Sequence, residues 1–226
     1  MTACFEYPPA AKFWRVVPKT KVYDHARATT RLRQLFVDQV DQIVWRYKLA
    51  PETINLSATK AVSEIQVFGI SLRTPELDED ILLAIDKAIA FPIIFELTNG
   101  GKRKSIAAYK RPSEADSVKW VVSEYFASDW ELEDNPRKPL PTALNLGSLY
   151  DKLLSSLIPA YAGDMEPLDA RVARIEAIRA KEREVERIKA RLSREKQFNK
   201  KVAINAELRG ALSELKNLGG GKAADA

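Results

Sequence analysis

The chain of 226 residues is 46% hydrophobic and 30% charged with a net charge of +5, an ordinary globular composition that allows one core plus an appendage. It has no run of about 18 apolar residues and no signal-peptide pattern, so we expect no membrane span and a cytoplasmic location. Cys4 and His25 are its only cysteine and histidine, which excludes an intramolecular disulfide, argues against structural zinc and weakens any Ser-His or Cys-His nucleophile.

The first predicted elements are an extended segment and an amphipathic helix. Residues 13–26 (FWRVVPKTKVYDHA) are interpreted as extended, and Pro18 restricts them to an edge strand or an arm. Thr29 and Thr30 can N-cap the next element. Apolar residues then recur at spacings of three and four, which predicts a helix: Leu32, Leu35, Phe36, Val40 and Ile43. Residues 43–56 (IVWRYKLAPETINL) are either a short strand or the end of that helix.

A strand, a helix and a second strand follow. Residues 63–73 (SEIQVFGISLR) predict a strand that is apolar on both faces. Thr74 and Pro75 open a predicted helix with acids in its first turn, as the helix dipole favours. Residues 91–97 (FPIIFEL) predict the second strand. This order is typical of a parallel crossover.

A hairpin is predicted next. Asn99, Gly100 and Gly101 form a strong turn signal because the turn needs positive φ angles. Residues 102–110 are its return strand, and residues 118–132 supply another strand that is rich in aromatic residues.

The C-terminal part is predicted to be helical. A proline-rich linker, residues 133–142, crosses the surface before a short helix that Pro159 stops. After Pro167 the chain is dominated by good helix formers. We therefore predict a mixed α/β (α+β) core in residues 1–163, with a hairpin-containing mixed sheet and flanking helices. A long charged helical extension occupies residues 164–218, and a flexible tail occupies residues 219–226.

The extension has a thin apolar stripe. Ile178, Val185 and Leu192 recur at intervals of seven, but the positions at intervals of seven from Ile175 are charged, which gives little support to a long dimeric coiled coil. The favoured interpretation is one helix that packs on a broad surface. A hairpin that bends near Ser193 or Asn199 is the alternative.

The net positive charge is concentrated in residues 171–201, which hold 12 Lys and Arg against 5 Asp and Glu, an excess of +7. Residues 12–33 are also basic, whereas residues 114–134 are acidic. This distribution fits a phosphate backbone or an acidic protein surface, and an ordinary solvated helix is the alternative. The candidate nucleic-acid-binding residues are Lys181, Arg183, Arg187, Lys189, Arg191 and Arg194.

A mixed polar and apolar patch lies in residues 193–209 (SREKQFNKKVAINAELR). Small alanines permit close approach, and lysine stems can cover apolar surface while their charges stay in water. We predict a partner-docking surface of the helix-in-groove kind, formed by Phe198, Asn199, Val202, Asn205 and Leu208. The alternative is that the segment folds back and completes the chain's own core.

Catalytic chemistry has few candidates. A magnesium nuclease could use Glu64 and Glu96, with Glu96 and Lys104 meeting across strands, but no compact acid-x-lysine pair is present. Surface charges at strand ends are the favoured interpretation. The Asn99–Lys102 turn lacks the glycine and lysine spacing of a nucleotide-binding loop. No catalytic residue, metal ligand or cofactor is predicted.

Several aromatic residues lie beside basic ones, a combination that suits stacking on nucleic-acid strands. Aromatic residues on strands more often fill the core. The residues concerned are Trp14, Trp45, Tyr47, Tyr109 and Trp120, beside Arg15, Arg46, Lys48, Lys110 and Lys119.

Four segments carry a family resemblance: WRYKLAPETINL, EIQVFGISLR, AIDKAIAFPIIFEL and EKQFNKKVAINAELR. With them the chain resembles, from about Val16 to Leu215, the bacterial and archaeal family known as domain of unknown function 4391. The segment from Glu195 to Arg209 is its most specific part. The resemblance implies no established activity. It implies a context, because such genes often lie beside genes for a helicase-like restriction subunit and a DNA methyltransferase, in modules resembling type III restriction or phage defence.

The resemblance and the charge pattern together suggest a function. We expect a non-catalytic accessory subunit of a restriction-like or phage-defence complex that processes DNA. Its C-terminal helix would dock to a helicase-like or methyltransferase subunit, to DNA or RNA, or to both. The alternatives are a metal-dependent nuclease subunit and a self-associating structural protein.

Overall fold

The computed structural model describes residues 4–112, 120–158 and 166–219. Two compact units divide the chain, the core unit in residues 1–159 and a second unit in residues 160–226. Strands of the core unit are β1 (Phe5–Glu6), β2 (Lys12–Val16), β3 (Val40–Leu49), β4 (Ile65–Leu72), β5 (Ile93–Asn99), β6 (Lys102–Pro112), β7 (Trp120–Ala127), β8 (Glu131–Leu132) and β9 (Lys138–Pro139). Its helices are α1 (Lys19–Ala26), α2 (Thr30–Gln39), α3 (Pro51–Ile54), α4 (Glu79–Ala88) and α5 (Leu146–Ser155). The second unit contains α6 (Leu168–Arg194) and α7 (Phe198–Leu218).

The main sheet is mixed, as predicted. Its strand order is β2-β3-β4-β5-β6-β7, and β8 pairs with β6 beyond the end of β7. Strands β4 and β5 are parallel and joined through α4, which confirms the predicted crossover, while the other neighbours are antiparallel. Strand β2 lies at the edge of the sheet, where the sequence placed it because of Pro18. The predicted α/β fold with a long charged C-terminal helical extension is therefore confirmed.

The hairpin between β5 and β6 also forms where predicted. Gly100 and Gly101 have φ angles of 55° and 74°, the left-handed conformation that the turn requires. The return strand continues to Pro112. Of the strand predicted over residues 118–132, residues 118–119 lie outside the described residues. The rest is not one strand, because irregular chain at residues 128–130 separates β7 from β8.

Element boundaries near the N-terminus differ from prediction. Residues after Pro18 form α1 rather than extended chain, because Val22 is buried and Tyr23 packs edge-on against Phe36. Helix α2 has the predicted Thr29 cap, which accepts a hydrogen bond from the Leu32 amide, but ends at Gln39. Val40 and Ile43 of its predicted stripe lie in β3.

Helix α4 starts later than predicted. Its cap is Asp78, whose side chain accepts a hydrogen bond from the Asp80 amide. The predicted opening residues Thr74 and Pro75 precede the helix as irregular chain. Glu79 and Asp80 are the acids in the first turn, where the helix dipole favours them. The predicted acids at the start of the helix are therefore confirmed, whereas its predicted first residues are wrong.

Two layers cover the sheet. On one face, Phe68, Ile70, Phe95 and Leu97 pack with residues of α1, α2 and α4 in one apolar cluster. On the other face, α5 is fixed by Tyr150, whose hydroxyl donates a hydrogen bond to the Ala108 carbonyl and accepts one from the Lys110 amide. The sheet is thus the central layer of the core unit.

A buried carboxylate lies on this second face. Glu96 of β5 is 0% exposed and is paired in register with Gly69 of β4 and Ser105 of β6. Arg46 Nη1 lies 2.9 Å from Glu96 Oε2, and Arg137 Nη1 lies 2.6 Å from Glu96 Oε1. The two guanidinium groups balance a charge that would otherwise be costly to bury.

Local geometry brings Arg46 to this carboxylate. The register between β3 and β4 shifts at Arg46, between Trp45 and Tyr47, which marks a bulge. The Arg46 side chain lies directly over Gly69, where an added Cβ would be 2.0 Å from Arg46 Nε. Glycine at position 69 therefore leaves the space that the guanidinium occupies.

Arg137 brings the linker to the same carboxylate. Burial lowers the pKa of the Arg137 guanidinium, but its hydrogen bonds to Glu96 and the negative charge of Glu96 outweigh that effect and raise the pKa. Arg137 also donates a hydrogen bond to the Phe5 carbonyl, and β9 pairs with β1. The predicted proline-rich linker therefore does more than cross the surface, since it holds the N-terminal segment on the sheet.

We predict that Glu96→Gln lowers the free energy of unfolding by about 3–5 kcal/mol, because two guanidinium groups lose their buried counter-charge. Urea denaturation followed by tryptophan fluorescence measures this. Glu52→Gln is the matched control, since it removes the same charge from an exposed pair with Lys48 and should change stability little. Equal stability of the Glu96 variant and the wild type would contradict the assigned role.

Candidate interaction surface of the helical hairpin

The acids considered for a nuclease are held by cations. Glu96 lies inside the core unit rather than at its surface, so its interpretation as a surface charge is wrong. The predicted approach of Lys104 to Glu96 is also wrong. Lys104 is paired in register with Leu97, on the opposite face, where its ammonium lies 4.9 Å from the Trp130 ring centroid. Glu64 lies 3.4 Å from the Lys48 ammonium.

Lys110 is held by backbone carbonyls inside the core unit. Its ammonium donates hydrogen bonds to the carbonyls of Asp86 and Ile89 at the C-terminal end of α4. A cation is favoured there by the helix dipole. Burial lowers the pKa of Lys110, and the Asp86 carboxylate opposes that effect. Among the described residues, no three Cys, His, Asp or Glu side chains lie close enough together to hold a metal ion.

Most of the aromatic residues singled out in the sequence pack on other rings. Tyr47 lies 4.7 Å from Tyr7, and Tyr109 lies 6.3 Å from Tyr150, as distances between ring centroids. Trp14 differs, because it is 55% exposed. Lys119 lies outside the described residues.

The extension is a hairpin of two helices, so the favoured single helix is wrong and the alternative bend near Ser193 is correct. Helix α6 ends at Arg194, and Glu195 has an extended ψ angle of 134°. The Glu195 carboxylate accepts hydrogen bonds from the amides of Lys196 and Gln197, each 2.8 Å long. These hydrogen bonds, chiefly that from Gln197, lower the pKa of Glu195. The carboxylate thus satisfies amides that precede α7.

The helical hairpin, α6 and α7 together, has its own apolar core. Val185 and Ile188 of α6 pack with Ile204 and Ala211 of α7. Leu192, Leu208 and Leu215 border this cluster. The members on α7 are spaced four, three and four apart, so they share one face of the helix. The stripe that was too thin for a long coiled coil therefore meets a second helix of the same chain.

Ion pairs border this core. Lys181 Nζ lies 2.7 Å from Glu214 of α7 and 2.7 Å from Glu184 of its own helix. Hydrogen bonds to these two acids raise the pKa of Lys181. Arg191 pairs with Glu207 of α7. Both cations were candidates for phosphate binding, and each forms an ion pair that joins the two helices.

Three of the other candidate cations lie on the side of α6 away from α7. Arg183, Arg187 and Arg194 are spaced four and seven apart, which places them on one face of α6, opposite the apolar face of Val185 and Ile188. All three are exposed. Lys189 is exposed and lies 2.8 Å from Glu186. We call the surface of Arg183, Arg187 and Arg194 the basic face.

The predicted docking residues are divided between two faces of α7. Leu208 borders the core of the hairpin. Phe198 and Val202 are 77% and 52% exposed, and Leu212 is 42% exposed. Asn205 is exposed in the same row, and Asn199 is exposed beside Phe198. We call Phe198, Val202, Asn205 and Leu212 the α7 stripe.

Sequence reasoning missed Ile188 and Ile204, which belong to the hairpin core. Their spacing was a usable signal, because Ile204, Leu208, Ala211 and Leu215 form one helical face. Residues 195–197 contain neither glycine nor proline, so no usual breaker marks the bend.

We predict that Ile204→Ala destabilises the hairpin by about 2–5 kcal/mol, since it leaves a cavity in a small core. Amide hydrogen exchange in α7 should accelerate accordingly. Val202→Ala, on the exposed side of the same helix, should stay within about 0.5 kcal/mol of the wild type. Unchanged exchange in the Ile204 variant would show that the two helices do not depend on this contact.

Within residues 4–112, 120–158 and 166–219, every helix is too short or too polar to cross a membrane.

Comparison with known proteins identifies the family of the chain. Neither the curated proteins nor the solved structures give a match to the chain. The family model described as domain of unknown function (DUF4391) matches residues 5–215, which include all of β1 to α6 and most of α7. The chain therefore belongs to the DUF4391 family.

Proposed function

We propose that this chain is a non-catalytic accessory subunit of a restriction-like or phage-defence complex that processes DNA, and that its helical hairpin docks to a larger subunit. The observation that carries the proposal is the α7 stripe. Three large apolar side chains remain exposed on a helix whose other apolar face is already buried against α6.

The exposed row is short and lies on one side of the helix. Phe198, Val202, Asn205 and Leu212 fall at spacings of four, three and seven, so they share one side of α7. Helix-in-groove recognition uses anchors with this spacing. Aromatic anchors such as Phe198 are typical of the buried centre of an interface. The stripe thus supplies the anchors that a groove on a partner would accept.

Charges indicate the kind of partner. The acids of α7 that face α6, Glu207 and Glu214, pair with Arg191 and Lys181. Lys201, Arg209 and Lys216 lie beside or within the row of the stripe, by helical spacing, and are exposed. A groove with acidic borders complements this surface.

The basic face supports a second contact, with nucleic acid. Arginine side chains bind phosphate oxygens in a bidentate manner, and a row on one helix face can follow a phosphate backbone. Arg183, Arg187 and Arg194 are such a row, on the side of α6 away from α7. One hairpin could therefore hold a protein on one side and DNA or RNA on the other.

The family resemblance supports a choice of partner. The resemblance implies gene neighbours that encode a helicase-like restriction subunit and a DNA methyltransferase. Either protein works on DNA, which fits a hairpin with one basic face. We therefore propose one of these two subunits as the larger partner.

We predict that the triple variant Phe198→Ser, Val202→Ser, Leu212→Ser loses co-purification with the helicase-like or methyltransferase subunit. Serine at these exposed positions removes apolar contact area without opening the core of the hairpin. Affinity capture from the native host, with nuclease treatment and mass spectrometry, measures the loss.

The control is Ala203→Ser with Ala206→Ser, at exposed positions on another side of α7. It should retain the partner. Deleting residues 193–226 is a less clear test, because it would also expose Val185 and Ile188. Retention of the partner by the triple variant would exclude the stripe as the docking surface.

We predict salt-dependent, sequence-independent binding of DNA or RNA to the basic face, because neutralised phosphates release counterions. The variant Arg183→Glu, Arg187→Glu, Arg194→Glu should reduce the slope of log affinity against log salt by about one for each lost phosphate contact. Fluorescence anisotropy over a salt series measures the slope.

Reversal of Lys60, Lys87 and Lys102, which are exposed on the core unit, is the matched control for net charge. An equal reduction in both variants would assign the effect to net charge. No binding by the wild type at low salt would leave the hairpin with a protein partner alone. Metal-dependent DNA cleavage by the purified wild type would support the nuclease alternative.

A further inference from the structure

A cavity of about 500 Å³ opens into the core unit between β2, β3, β4 and the segment that follows α4. Its volume lies in the range of about 300–1,000 Å³ that is usual for small-ligand sites. The described residues that line it all belong to the core unit.

Aromatic rings line this cavity. The rings of Trp45 and Phe68 are nearly parallel, with 5.9 Å between centroids and 10° between planes. Phe13 of the edge strand lies 4.1 Å from Trp45, and Phe91 lines the cavity from the segment after α4. Such a lining favours a flat aromatic group over a flexible polar one.

Polar groups of two kinds accompany the rings. Arg15 and Lys21 line the cavity and are exposed, whereas Gln66 lines it and is 4% exposed. The Gln66 amide donates a hydrogen bond of 2.6 Å to Glu64, which orients it. No acid is among the described residues that line the cavity, so its charge favours an anion.

The wall formed by residues 88–91 is held in place from behind. Lys110 donates hydrogen bonds to the carbonyls of Asp86 and Ile89, and Tyr125 donates one of 2.6 Å to the Asp86 carboxylate. These contacts fix the chain that carries Phe91. An ordered wall lowers the cost of binding, because the ligand does not have to order that part of the cavity.

We propose that this cavity binds a nucleoside phosphate. Its base would lie against the aromatic lining with an edge toward the Gln66 amide, and its phosphate would contact Arg15 and Lys21. A free nucleotide and the 5′ end of a nucleic-acid strand share this chemistry. The site is independent of the function proposed for the hairpin.

Isothermal titration calorimetry of the full chain tests the proposal with dAMP, deoxyadenosine, inorganic phosphate and 5′-phosphorylated (dA)8. We expect saturable binding of dAMP, and binding at least about tenfold weaker for the nucleoside or phosphate alone, since each lacks half of the contacts. Preference for the oligonucleotide, measured in the basic-face variant so that the hairpin does not contribute, would identify a strand end as the natural source, and equal affinity would identify the free nucleotide.

Two variants separate the cavity from general charge effects. Ala90→Trp places a large ring in the cavity and should abolish dAMP binding, while Arg15→Glu with Lys21→Glu should weaken it about tenfold or more. Lys12→Glu with Lys60→Glu changes the net charge equally outside the cavity and should leave the affinity unchanged, as should the basic-face variant of the hairpin. Absence of dAMP saturation in the wild type, or wild-type affinity in Ala90→Trp, would overturn the proposal.

Discussion

The carboxylate of Glu96 lies in the middle of the sheet and has two guanidinium groups as its counter-charges. A single buried carboxylate is costly, so its environment must supply cations from elsewhere in the chain. Arg46 comes from a bulge in β3 over the free space at Gly69. Arg137 comes from the linker and also holds the Phe5 carbonyl. The need to neutralise this buried charge therefore joins the sheet, the linker and the N-terminal segment.

The second unit depends on a different interaction. A small apolar cluster around Val185 and Ile204 holds its two helices together. Ion pairs at its border use the acids of α7 and two of the cations of α6. This arrangement leaves the basic face of α6 and the apolar stripe of α7 on separate sides. The proposed function depends on that separation, because protein and nucleic acid can then be bound without competing for one surface.

Much of the core was predictable because its signals are local. The crossover through α4 follows from two apolar runs around a helical stripe, and the β5–β6 turn follows from Asn99-Gly100. Errors arose where contacts between distant segments outweighed local preference. The segment after Pro18 is helical because Val22 is buried and Tyr23 is half-buried against α2 and its neighbours. Lys104 and Glu96 lie on opposite faces because their cross-strand partners differ, which only the register reveals.

The candidate surfaces show the same division. Their composition could be read directly, since both the basic excess of residues 171–201 and the apolar residues after Phe198 are visible in the chain. The sequence did not predict which of these side chains stay exposed, because their burial depends on how α6 and α7 pack against each other.

The sequence by itself determined the family, the mixed α/β class, the order of the main elements and the position of the positive charge, since all of these follow from local patterns or from motif similarity. Only the tertiary structure decided that Glu96 is an internal counter-charge, that the extension bends at Glu195 and that Leu208 is turned inward while Phe198 is not. The physical reason is that each of these outcomes depends on pairing between residues far apart in the chain, and local propensity contains no information on such partners.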